Sequence, residues 1–376
     1  MGQSYDDAVV GAGILGLAHA YHLAKRGRRV AVFERNEKAC GASIRNFGMI
    51  WPIGQPAGAM HRMAMRSREI WLEVLQESGI WHERAGSLHL AYHEDEAQVL
   101  SEFAQEAGSN GYDCALLPPD QVALSSPMVR QNGLLTALWS PTEVCVDPRQ
   151  AIAELPRWLN QRYGVEFYFG CAVTGYHAPH LQAGAREWRV EHLYVCPGDD
   201  TQTLFPDVLQ NAGMIRCKLQ MLRSQPYPDR RMGPMLAAGL TLRHYRSFEI
   251  CPSLPALRRR VADEMPEYDR FGIHVMASQH GSGELTIGDS HEYGAEITPF
   301  DNPEIDSLIL SYLQTFLEAP DLRIASRWHG IYAKHPTQPF CVFRPSSTVT
   351  LITGAGGAGM TLSFGLAEQV LNENQV

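Results

Sequence analysis

The stretch "VVGAGILGLAHAYHLAKRGRRVAVFER", residues 9–35, constrains the chain more than any other. Ala8, Val9 and Val10 form the short apolar run that a parallel strand buried on both faces requires. Gly11, Ala12 and Gly13 turn the chain, and a helix from about Ile14 carries Leu15, Leu17, Ala18, Tyr21, Leu23 and Ala24 before stopping at Gly27. "RVAVFER" is the next strand, ending in Glu34. The glycines divide the work: Gly11 makes the tight turn, Gly13 lets a pyrophosphate approach the backbone, and Gly16 lets the helix lie close to the strand. The helix N-terminus then faces the phosphates. Glu34 follows Gly16 by 18 positions, where a carboxylate accepts hydrogen bonds from ribose hydroxyls. A dinucleotide is therefore expected on Gly11, Gly13, Ile14, Leu15, Gly16, Glu34 and Arg35. The acid disfavours a 2′-phosphate, Arg35 beside it tempers that, and NAD and FAD remain.

At 376 residues the chain suits two intertwined domains. Its net charge of −9 argues against a nucleic-acid or anionic-membrane surface. The eight cysteines form no C-x-x-C pair, which reads as reduced thiols without a disulfide framework or zinc knuckle. The start of the chain lacks a basic segment followed by an apolar run, and no stretch of about 18 apolar residues occurs. A soluble cytoplasmic protein without a membrane span is expected.

The segment after Glu34, "NEKACGASIRNFGMIWPIGQPAG", is glycine-rich and polar where an NAD domain would run on through another helix and strand. It resembles the D-amino acid oxidase superfamily, the FAD-dependent amine oxidoreductases that include glycine oxidase and sarcosine oxidase. Gly41, Ala42, Ser43, Asn46 and Gly48 match the family's passage from phosphates to flavin. The resemblance implies Ser43 at the pyrophosphate and Arg45 to Met49 along the isoalloxazine, with Arg45 and Asn46 in catalytic positions. It also implies an adenine contact at Val173 after "VDPRQAIAELPRWLNQRYGVEFYFGCAV", and a turn at Gly198 after "HLYVCPG", which departs from the usual Ala or Thr before glycine. The C-terminal "VTLITGAGGAGMTLSFGLAEQVL" is a strand, four glycines and a helix starting near Met360. Gly354, Gly356, Gly357, Gly359, Met360 and Thr361 are expected to present backbone N–H groups to the charge that develops around flavin N1 and C2=O.

The resemblance implies an α/β fold, a Rossmann-like FAD-binding domain (1–80, 146–210, 331–376) interleaved with a mixed-sheet substrate domain (81–145, 211–330). Strands are expected in "GSLHLAYH", "CKLQMLRSQ" and "FGIHVMASQHGSGELTIGDS", and helices in "EDEAQVLSEFAQEAG" and "NPEIDSLILSYLQTFLEA". Cys341 does not match the position of sarcosine oxidase's flavin-attachment cysteine, which would fall near Tyr332, so FAD is expected to bind non-covalently.

Amino-acid-oxidising relatives carry Gly-x-Arg-Pro before the C-terminal glycine loop, the arginine pairing with the substrate carboxylate. In "RWHGIYAKHP" Gly330 matches, but Tyr332 and Ala333 stand where Arg and Pro would be, so the bidentate clamp is missing. Cationic residues are near in sequence: Lys334, His335 and Arg344, and Arg243, His244 and Arg246 of "LRHYRSF". Such a set suits a tetrahedral anion. Together with "GELTIGDSHEYG" these segments resemble the superfamily branch associated with phosphonate breakdown, which implies 2-aminoethylphosphonate or its N-methyl form as substrate. Expected substrate contacts are Arg243, His244, Tyr245, Arg246, His329, Tyr332 and Lys334, with Tyr332 also in a catalytic position. Asp289, His291 and Glu292 read as the polar face of a strand–turn region, and no metal is expected.

The expected reaction moves hydride from a neutral small-molecule amine to flavin N5, leaving an imine that water hydrolyses, with oxygen or another acceptor completing the cycle. Sarcosine oxidase has an oxygen-activating lysine where "ELTIG" has Thr286. The alternatives are a D-amino acid, glycine or sarcosine oxidase or dehydrogenase, an NAD-dependent dehydrogenase, and a flavin-binding regulatory protein without catalysis.

Overall fold

A computed structural model of the chain describes residues 3–227, 229–294 and 296–373. The Ser4–Val10 strand, apolar over its Ala8–Val10 end, lies parallel between Arg186–Val195 and Val30–Phe33, with Val9 opposite Tyr194 and Val32. Glu166–Tyr168 extends the sheet in parallel beyond Val30–Phe33, and Val349–Thr353 does so beyond Arg186–Val195. The antiparallel strands Gly175–His177, His180–Ala183 and Cys341–Ser346 complete eight. Three helices, Ile14–Lys25, Ala59–Ser78 and Gly359–Glu373, pack on one another beside this sheet. Tyr21, Trp71 and Phe364 meet edge to face at their centre, with ring centroids 4.9–5.5 Å apart.

A second sheet of nine strands is built from residues 87–140 and 215–334. Its longest pairing runs antiparallel between Ile215–Ser224 and Ile324–Lys334, and one pair, Ser87–Ala91 with Met235–Ala238, is parallel. The sheet is therefore mixed. The expected helices form over Glu94–Ala107 and Pro303–Phe316; the latter opens on Asn302, whose side chain accepts from the Glu304 amide. A three-stranded sheet, Met49–Ile50, Val144–Val146 and His82–Glu83, joins the two halves. Among the described residues no helix is long and apolar enough to cross a membrane.

Candidate active site

The N-terminal turn is built as its glycines require. Gly11 has φ +97°, and a Cβ there would lie 2.3 Å from the Cys196 carbonyl oxygen. At Gly16 a Cβ would lie 1.9 Å from the Gly11 oxygen, so only glycine lets the helix sit this close to the strand. The helix starts at Ile14, whose amide donates to Ser43 Oγ at 2.9 Å, while Leu15 packs against the core behind it. Glu34 Oε2 accepts from the Ala12 amide at 3.0 Å, holding the carboxylate against the turn. Arg35 pairs with Asp200. Val173 is buried with Ala31 and Phe33, and the Gly198 carbonyl accepts from Thr353 Oγ1, tying that turn to the C-terminal strand.

From Ile14 and Ser43 a pocket of about 630 Å³ runs along Ala42, Arg45, Asn46 and Met49 to the glycine loop at 354–359 and the start of the last helix, Met360 and Thr361. Two of the four glycines there need their freedom, Gly354 at φ +74° and Gly356 at φ +54°. Gly357 and Gly359 do not take positive φ; a Cβ on Gly357 would sit 3.7 Å from the Tyr332 hydroxyl. The helix start is braced: the Trp51 amide donates to Thr361 Oγ1 and Trp71 Nε1 to the Met360 carbonyl. Gly48, at φ +72°, lets its loop lie against Val146. Asn46 is spent on the same loop, its amide donating to the Ala42 and Ser43 carbonyls and its oxygen accepting from the Gly48 N–H. Its side chain thus acts as a loop clamp, and the catalytic position expected for it is not supported by a free polar group. Arg45 lines the pocket and donates to the His329 carbonyl.

The long groove, the helix N-terminus at one end and the glycine loop with a second helix N-terminus at the other fit a dinucleotide with a flavin ring. A Cβ on Gly13 would narrow the groove, lying 3.1 Å from Ser43 Oγ.

On the substrate side, Tyr332 and Lys334 both face the pocket, as alternation along the Ile324–Lys334 strand requires. Lys334 Nζ lies 4.9 Å from the centre of the Tyr293 ring. Tyr332 is buried, and burial pushes its hydroxyl pKa up. His244, Tyr245 and Arg246 line the pocket from the other wall, Tyr245 stacked on Trp51 and Arg246 exposed beside Glu249.

Two expected contacts lie elsewhere. Arg243 turns away to pair with Asp269 and donate to the Ile273 carbonyl, because the short Gly239–Leu242 helix delivers Arg243 and His244 in different directions. His329 is out of step with Gly330, Tyr332 and Lys334, the strand positions that face the pocket; it pairs with Asp301 at 2.8 Å and lines a separate 390 Å³ cleft with Arg45, Arg149 and Trp328. Arg344 lies near Glu373 at the surface.

The polar-face reading of "GDSHEYG" is also corrected. Asp289 and His291 are buried and line the pocket, together with His274 from the facing segment. The ring nitrogens of His244, His274 and His291 lie within 4.8 Å of one another. His274 and His291 are stacked, with centroids 5.0 Å apart, and His244 covers His274 at 3.8 Å while opening onto the pocket. Burial holds all three imidazole pKa values below the ordinary value, His291 at about 4, and drives the Asp289 carboxyl up. His274, Tyr293 and Trp51 were missed from sequence. They come from segments remote in the chain and carry no spacing signal.

Residues 6–372 match the family model of the FAD dependent oxidoreductases, DAO. The chain belongs to that family. As a member of the FAD-dependent oxidoreductases it is an enzyme that uses FAD, and the NAD-dependent alternative is set aside. Glycine oxidase from Bacillus cereus superimposes with a TM-score of 0.80 at 17% identity, covering 99% of this chain and 95% of that one. Glycine oxidase from Bacillus licheniformis is 35% identical over 112 residues, 27% of this chain and 30% of the relative. Human mitochondrial sarcosine dehydrogenase is 26% identical over 171 residues, 44% of this chain but 18% of the relative. The matched stretches thus span less than a third of these two curated relatives.

Proposed function

We propose that this FAD-dependent oxidoreductase oxidises a small amine bearing a tetrahedral anion, an aminoalkylphosphonate such as 2-aminoethylphosphonate or its N-methyl form, to the imine and thence the aldehyde. The observation that carries the reading is Lys334 beside Tyr332 in the pocket, at the place where a carboxylate-pairing arginine is absent. An ammonium is a point charge that suits a tetrahedral anion better than a planar, bidentate carboxylate. Bound FAD supplies a two-electron acceptor for the hydride on the carbon next to nitrogen.

The protein's part is placement. Gly13, Ile14 and Ser43 would hold the pyrophosphate non-covalently, and the 354–361 loop and helix start would hold the flavin end of the cofactor. Tyr332 and Lys334 would fix the anionic end of the substrate and so orient its reacting carbon within the pocket, and apolar walls at Leu219, Met221 and Trp51 limit water. The free cysteines agree with a reducing cytoplasm. The test is anaerobic mixing with 2-aminoethylphosphonate, its N-methyl form, glycine, sarcosine and D-alanine, followed by loss of the oxidised flavin absorbance. Faster bleaching by an aminophosphonate supports the reading; faster bleaching by the amino acids overturns it in favour of an amino-acid oxidase or dehydrogenase. Bleaching by none of the five overturns the aminophosphonate reading and sends the search to other donors.

A further inference from the structure

The polar groups of the His244–His274–His291 cluster face one another without bonding to one another, while His291 Nδ1 meets the Gly272 carbonyl at 3.2 Å. His274 Nε2 lies 3.2 Å from Asp289 Oδ1 without the alignment of a hydrogen bond, and His291 Nδ1 lies 3.9 Å from the same oxygen. Both ring nitrogens of His274 and the Asp289 oxygen are buried and have no hydrogen-bond partner among the described residues. Buried polar atoms are seldom left so, since an unpaired one has lost its water without replacement.

Each neutral imidazole offers one lone pair, and a carboxylate offers more. An anion alone would satisfy the imidazole N–H groups but be repelled by Asp289. A single cation satisfies three ring nitrogens and the carboxylate at once. Imidazole with one carboxylate is a donor set for a borderline divalent transition metal, zinc foremost. Ligand nitrogens about 2.1 Å from such an ion are about 3.4 Å apart in a tetrahedron. One nitrogen from each ring already lies within 4.8 Å of the others, and turning the stacked rings edge-on to a shared centre would close that spacing.

The geometry points to a divalent transition-metal site, zinc the committed ion, held by His244, His274 and His291 with Asp289 beside them, in the wall of the substrate pocket. Because His244 opens onto the cavity, a further ligand would reach the four-donor ion from the pocket side, as a fifth. An anionic substrate group completing its coordination would be shared with Lys334, and the two cations would replace the missing guanidinium. This last role rests on the anionic-substrate reading; the metal site does not.

The experiment is equilibrium dialysis of the FAD-loaded enzyme against Zn²⁺, with zinc and FAD quantified per chain. One zinc per chain is expected, with affinity reduced at least tenfold in His274→Gln and His291→Gln at unchanged FAD content. If those variants fail to fold, His244→Gln, altered at the cavity surface, serves in their place. Absence of stoichiometric zinc, or zinc retention unchanged in the folded variants, overturns the site even where 2-aminoethylphosphonate reduces the flavin. Zinc bound and lost as stated supports the site even where no aminophosphonate is oxidised, which would remove the substrate reading alone.

Discussion

Ser43 Oγ accepts a hydrogen bond from the Ile14 amide at 2.9 Å, so the loop after the second strand is fastened to the first free donor of the N-terminal helix. One hydroxyl thereby fixes the spacing of the phosphate end of the groove. Ser43→Ala leaves that amide without its partner and removes a polar contact from the pyrophosphate. FAD should bind about three- to tenfold more weakly, as one hydrogen bond of roughly 0.5–1.5 kcal/mol predicts. Fluorescence titration of the apoprotein with FAD measures it, and an unchanged Kd would take Ser43 out of the cofactor site.

Gly16 has no room for a side chain: beyond the 1.9 Å approach to the Gly11 oxygen, a Cβ would lie 3.2 Å from Val9 Cγ1. Gly16→Val should push the helix off its strand, costing roughly 3 kcal/mol or more and emptying the FAD site. Melting temperature and FAD content report this together, and a yellow variant with the parent Tm would contradict the packing argument.

Lys334→Ala should raise the KM for an aminophosphonate about ten- to a hundredfold while leaving FAD content alone, from the roughly 1.5–3 kcal/mol of a charge-assisted hydrogen bond. Steady-state kinetics with 2-aminoethylphosphonate decide the point. A KM equal to the parent's removes Lys334 from the site.

Glu143 is fully buried and accepts from the Ile53 amide, Ser87 Oγ and Thr142 Oγ1 at 3.1, 3.0 and 2.7 Å. It anchors the Pro52–Gly54 turn, on which Tyr245 rests. Glu143→Ala orphans three donors and should cost roughly 2–4 kcal/mol in urea unfolding, with Glu143→Gln costing less. Equal stability of the two variants would refute that role.

Stability should fall in mild acid. His19 and His22 are buried in the first helix, and burial lowers both to about 4 from 6.5. Between those values the unfolded chain binds more protons, so stability rises with pH, is complete above about 6.5, and is lost as pH falls toward 4. Urea midpoints at pH 7 and pH 5 measure the slope. His19→Gln with His22→Gln should reduce it, the buried imidazoles of the second domain keeping the remainder, and an unaltered slope would assign acid sensitivity to those other groups.

What could be read along the chain was whatever depends on neighbours in sequence. The strand–glycine–helix–acid register at 8–35, the glycine loop before the last helix, and the alternation that puts Tyr332 and Lys334 on one face are all local. Each is set by backbone geometry with a fixed period. The same alternation, carried back three residues from Tyr332, would have excluded His329. Arg243 and His244 are adjacent, and nothing in "LRHYRSF" says which turns inward, because the Asp269 that captures Arg243 belongs to another helix.

The histidine cluster shows the limit most plainly. His244, His274 and His291 stand 30 and 17 positions apart, on a short helix's end, a strand's approach and a turn. The residue sequence determined that each histidine exists, and that "GDSHEYG" follows a strand. Only the packing of the Met276–Gln279 and Leu285–Gly288 strands against one another, with the 239–245 segment beside them, brought the three together, burying His274 and His291 and leaving His244 at the pocket surface. Burial is a property of what surrounds a group in three dimensions, and it is burial that turns a polar face into the wall of a site.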